Sequence, residues 1–114
     1  MPQIWVEHSR GLAFDRRGFA AELHPVVAEL IDTTVEACKT RFRTVEEEFL
    51  GDGEPGRSAV YLELRILTGR PPALRTELSR RALALLEKHV PGERVHLAVN
   101  VTELDRDVYL SAAR

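Results

Sequence analysis

Pro2 stands directly behind the initiator methionine and starts an apolar, strand-like run, Pro2-Gln3-Ile4-Trp5-Val6-Glu7. A small second residue favours removal of Met1, and that would leave proline as the amino terminus. A terminal proline is the one proline with a free secondary amine, carried on a rigid ring. Burial and nearby cations both disfavour its ammonium form and push its pKa down. An amine that is neutral near pH 7 is a general base. Cations are available: on a strand predicted over Glu36–Phe49, Lys39, Arg41 and Arg43 alternate with Thr40, Phe42 and Thr44, so the three basic side chains project from one side. While Met1 remains attached, as in this sequence, the ionisable amine belongs to methionine.

The other reactive residue types do not assemble into a motif. Cys38 is the single cysteine, which excludes an internal disulfide. It reads as a small buried apolar residue on a strand. His8, His24, His89 and His96 are scattered and no pair has zinc-site spacing, so no metal site is expected. Glu46-Glu47-Glu48 reads as a solvated strand end, because adjacent strand residues point to opposite faces. The stretch Gly51–Gly56 lacks the Lys-Ser/Thr of a phosphate loop and reads as a hairpin.

These residues need a scaffold. Strands are predicted at Pro2–His8, Glu36–Phe49, Ser58–Thr68 and Arg94–Leu104 from period-two alternation. Helices are predicted at Arg16–Ile31, with Asp15 as N-cap, and at Pro72–Lys88, with proline in its first turn. Phe19, Leu23, Val26, Val27 and Leu30 form the apolar stripe of the first helix, which Pro25 is expected to kink or split. Leu74, Leu78, Ala82, Leu85 and Leu86 form that of the second. The tail from Asp105 reads as short and helical. The order, strand-helix-strand twice, makes two βαβ units: an α+β fold, residues 1–114 as one domain, with a four-stranded sheet and both helices on one face. Trp5 on the opposite face leads us to expect apolar residues there, buried against another subunit.

Composition narrows the partners. The chain has 16 basic and 18 acidic residues, net charge −2, so neither nucleic acid nor an anionic membrane is an expected partner. No apolar run approaches the roughly 20 residues that span a bilayer, and no signal segment is evident, which makes a cytoplasmic protein the expectation. Arginine supplies nearly all the positive charge; Lys39 and Lys88 are the only lysines.

Three segments, Met1–Glu7, Cys38-Lys39-Thr40-Arg41-Phe42 and Tyr61-Leu62-Glu63-Leu64-Arg65-Ile66-Leu67-Thr68-Gly69-Arg70, together with the βαββαβ order, resemble the tautomerase superfamily, and within it the 5-carboxymethyl-2-hydroxymuconate isomerase group. The resemblance covers nearly the whole chain. It implies a homotrimer that moves a proton between oxygen and carbon of an enol without metal or cofactor, on a small unsaturated mono- or dicarboxylate. By resemblance Pro2 is the base, and Arg70 matches one of two arginines that hold the substrate's carboxylates and 2-oxygen. The second position falls on Lys39, with Arg41 two residues on. Lysine offsets charge but cannot make the forked contact, so either Arg41 takes the role or the substrate differs. Fixed cations would both stabilise the developing oxyanion and keep the base neutral. Two other outcomes are open on this scaffold. One is hydration or dehalogenation of an unsaturated acid with Glu7 or Glu63 activating water. The other is a non-catalytic trimeric binding or structural protein.

Overall fold

The computed structural model describes residues 1–114. Alternating apolar residues form β1 (Gln3–His8), β2 (Lys39–Thr44), β3 (Ser58–Leu67) and β4 (Val95–Leu104), and the two apolar stripes form α1 (Arg16–Leu30) and α2 (Pro72–His89). The sheet order is β2-β1-β3-β4. β1 runs parallel to β2, and β3 runs parallel to β4, while the central pair β1 and β3 is antiparallel. Two βαβ units therefore lie head to tail across the middle of a mixed sheet.

The inward set of the central strands, Ile4, Val6, Val60, Leu62, Leu64 and Ile66, joins Phe19, Leu23 and Val27 of α1 and Leu78, Ala82 and Leu86 of α2 in one core. Each of these side chains is at most 1% exposed, and burying one of the larger ones stabilises the fold by about 1.5–3 kcal/mol. Both helices thus cover the same face. Asp15 caps α1, its Oδ1 accepting from the Gly18 amide at 2.9 Å. The helix runs unbroken through Pro25, which lies on its exposed side. There the carbonyl that proline leaves unpaired faces water.

Several expectations need correction. β2 is shorter than Glu36–Phe49: Val35–Ala37 is a 3-10 turn and pairing stops at His8 with Thr44, where β1 itself ends. Cys38 is buried but lies on that turn's end, not on a strand. Glu46-Glu47-Glu48 lies beyond the strand, exposed in the connection to β3. The Gly51–Gly56 turn is not a hairpin between paired strands, since β1 sits between β2 and β3. The tail makes a single turn, with the Val108 and Tyr109 amides bonded to the Asp105 carbonyl, and no helix.

The face away from the helices also differs. Register places Gln3, Trp5 and Glu7 beside Lys39, Arg41 and Arg43 on one flank and beside Tyr61, Glu63, Arg65 and then Asn100 and Thr102 on the other. Around Trp5 this face is charged and hydrogen-bonded rather than apolar. No helix of the chain is long and apolar enough to cross a membrane.

Candidate active site

The register brings the starts of β1 and β2 and the ends of β3 and β4 to the same end of the sheet. Pro2 extends β1 there, its carbonyl accepting from the Lys39 amide at 3.1 Å, and its ring is fully buried. The chain-start amine of Met1 donates to the Ala37 carbonyl at 2.9 Å, and the Lys39 ammonium donates to the same oxygen at 3.0 Å. Two cationic groups thus converge on one carbonyl. The amine's pKa is lowered, first by burial and then by the Lys39 charge, while Cys38 opposes the shift. Both pressures are the ones that favour a neutral amine at this position.

Arg70 follows Gly69 at the same end. Gly69 has φ +117°, a conformation that side chains rarely adopt, and it turns the chain from β3 toward α2. The Arg70 guanidinium is half-buried and donates to the Leu67 carbonyl at 2.9 Å and to the Ile31 carbonyl at 2.8 Å. It ties the end of β3 to the end of α1, and two of its five N–H groups are occupied in doing so. Arg41 is exposed on the open face, where it donates to Gln3 Oε1 at 2.7 Å and stacks over Trp5 at 5.4 Å. Lys39 therefore sits beside the amine and Arg70 at the same sheet end, while Arg41 lies two residues along β2.

Two side chains of this end gave no signal in the sequence. Tyr109, from the tail, accepts at its hydroxyl from Gln3 Nε2 at 3.0 Å, and Arg106 donates through Nε to the Thr68 carbonyl at 2.7 Å. Neither belongs to a periodic element, and only the fold returns the tail to β1. Pro2 lines none of five hollows on the surface of the chain.

The remaining candidates are accounted for locally. The Cys38 thiol points at the Thr34 carbonyl at 3.5 Å, and burial raises its pKa, so it is a poor nucleophile near pH 7. Glu63 accepts from Tyr61 at 2.8 Å, from Asn100 at 3.2 Å and from Thr102. Burial acts to raise its pKa, but these hydrogen bonds together outweigh it and the net shift is downward. Such a carboxylate is a weak base for activating water. No cluster of three or more His, Cys, Asp or Glu side chains is placed to hold a metal ion.

The βαββαβ topology with its mixed sheet is the tautomerase fold, the fold expected from the sequence resemblance. The chain is similar to the structure of a 5-carboxymethyl-2-hydroxymuconate isomerase from Deinococcus radiodurans R1, with TM-score 0.86 and 22% identity over 99% of this chain and 90% of that one. It is similar also to a fused 4-OT solved as a symmetric trimer, with TM-score 0.79 and 8% identity over 94% of this chain and 91% of that one. A macrophage migration inhibitory factor-like protein from Entamoeba histolytica matches with TM-score 0.74 and 20% identity over 97% of this chain and 95% of that one. At these identities the likeness establishes the fold. No protein-family model matches the sequence, and no curated protein does.

Proposed function

We propose that this chain, once Met1 is removed, is a cofactor-independent isomerase that moves a proton in an unsaturated 2-hydroxy or 2-oxo acid of the 5-carboxymethyl-2-hydroxymuconate type. The observation that carries the reading is the chain-start amine, part-buried beside the Lys39 ammonium with its pKa lowered. Removal of Met1 transfers the free amine to Pro2, one residue deeper at the start of β1. In the reaction, the neutral Pro2 nitrogen takes the hydroxyl proton of the dienol and returns a proton to carbon. Negative charge on the 2-oxygen and the carboxylates is met by Lys39, Arg41 and the N–H groups of Arg70 that its carbonyl bonds leave free. The ring secondary amine and a rigid strand position suit a base that must be reprotonated in each cycle.

Since Pro2 lines none of those five hollows of the single chain, we take the pocket to be completed by neighbouring copies in a homotrimer. Intact-mass measurement and ketonisation kinetics test the reading together. The native protein is expected to lack Met1, and Pro2→Ala to slow ketonisation of a simple dienol acid by about 10²–10⁴-fold. Unchanged turnover in that variant rules out the role given to Pro2.

One observation favours a non-catalytic protein on the same scaffold. Arg70 spends two N–H groups on main-chain carbonyls, which is the behaviour of a structural arginine. That reading predicts a retained Met1 and no dienol turnover. The Glu63 hydrogen bonds weigh against the hydratase or dehalogenase alternative, because both of its oxygens are already engaged.

A further inference from the structure

The tail returns to the Pro2 end and fastens a chain of contacts there. The Asp105 carbonyl accepts from the Val108 and Tyr109 amides at 3.2 and 3.0 Å, and Arg106 pins the turn to the Thr68 carbonyl at 2.7 Å. Tyr109 is thereby held half-buried beside Gln3, the residue next to Pro2, and its hydroxyl accepts from Gln3 Nε2 at 3.0 Å. The other end of the same amide, Oε1, accepts from the Arg41 guanidinium at 2.7 Å. A guanidinium only donates, so it must meet the amide oxygen, and the amide nitrogen is left to face Tyr109. Arg41 pairs with Trp5 in the register, yet its guanidinium leans back to Gln3, toward Pro2. Stacking on Trp5 at 5.4 Å does not settle that lean, since Arg65 lies on the same indole at 4.7 Å and like charges repel. Nor does an ion pair, since Glu7, the one acid of β1, faces Arg43 at 3.7 Å. Gln3 sets the direction of Arg41, and Tyr109 sets Gln3. These contacts close within one chain, so none of them requires the open face to be free of neighbouring copies.

We infer that, on the isomerase reading above, Gln3 and Tyr109 are positioning residues that hold Arg41 at the Pro2 end, where it meets the second carboxylate of a dicarboxylate substrate. On that reading Lys39 and Arg70 take the carboxylate and 2-oxygen at the reacting end. Gln3 engages only part of the Arg41 fork, and the ring contact engages none of its N–H groups, so donors remain for a carboxylate. Released from Gln3, the same side chain keeps its charge but loses its aim, and the forked contact depends on aim. The preference for a dicarboxylate over a monocarboxylate thus rests on two residues that need not touch the substrate.

The probes are muconate and sorbate, conjugated dienoates of equal chain length that end in a second carboxylate and in a methyl group respectively. Neither has the hydroxyl that ketonisation consumes. Binding is therefore read by isothermal titration calorimetry without turnover, and the fate of the isomerase reading is decided separately by the Pro2→Ala kinetics. Protein lacking Met1 is expected to bind muconate more tightly than sorbate. Arg41→Gln is expected to weaken muconate about tenfold, and Gln3→Leu and Tyr109→Phe about threefold or more, with sorbate unchanged in all three. A merely structural Tyr109 would weaken both probes alike. Added to Arg41→Gln, Tyr109→Phe is expected to cost nothing further, because it acts through Arg41. The proposal is overturned if muconate binds no more tightly than sorbate, if Gln3→Leu or Tyr109→Phe binds muconate as the parent does, if sorbate weakens in step, or if the losses from Arg41→Gln and Tyr109→Phe add.

Discussion

Arg70 illustrates how one side chain can serve architecture and chemistry at once. Its bonds to the Leu67 and Ile31 carbonyls join the end of β3 to the end of α1, where helix carbonyls lack intrahelical partners. Hydrogen bonds from a charged donor each contribute about 1.5–3 kcal/mol, and solvent at this half-buried site reduces that. Arg70→Ala is accordingly expected to lower stability by about 1–3 kcal/mol in urea unfolding. If the guanidinium also holds substrate, the same variant raises KM in dienol turnover, whereas a purely structural arginine moves the unfolding midpoint alone. Lys39 differs in kind. Its ammonium shares the Ala37 carbonyl with the chain-start amine, so its effect on that amine is through charge, and a lysine performs that task as well as an arginine. The departure from arginine at this position thus costs the forked contact and keeps the electrostatic one.

At the scale of elements, the fold was readable because its signals are periodic. Ile4 and Val6 against Trp5 and Glu7, or Val60 to Ile66 against Tyr61 to Arg65, mark half-buried strands, and the Phe19-Leu23-Val27 stripe marks a helix seated on them. The basic row of β2 was equally readable, and Lys39, Arg41 and Arg43 do share a face, all exposed. What alternation does not carry is which strand lies beside which. β1 lies between β2 and β3, and this changes the Gly51–Gly56 turn from a hairpin into part of a longer connection. The same missing register hid the Arg65–Trp5 stack: Arg65 pairs with Gln3, so it reaches Trp5 diagonally across β1 and β3. The return of Tyr109 to Gln3 is longer in range still, with no pattern in the tail to announce it.

At the scale of the whole molecule, β2 and β4 are the sheet's two edges. The charged open face suits water or polar contact better than dry burial, because unpaired charges are costly to desolvate. We therefore expect the proposed trimer to seal the Pro2 end without drying the face around Trp5, and light scattering of the native protein to return three chains per particle. Dissociation into single chains would leave Pro2 without the walls its role requires. That role depends on the charge state of one nitrogen in the assembled protein. A nitrogen-15 NMR titration of Pro2, in protein from which Met1 has been removed, measures it. Burial and the Lys39 charge both disfavour the ammonium, so the account predicts a pKa below the ordinary terminal-amine range of about 7.7–8.0, with the base form present at neutral pH and lost as the pH falls through that value. A pKa at or above that range, leaving Pro2 protonated at neutral pH, would contradict it.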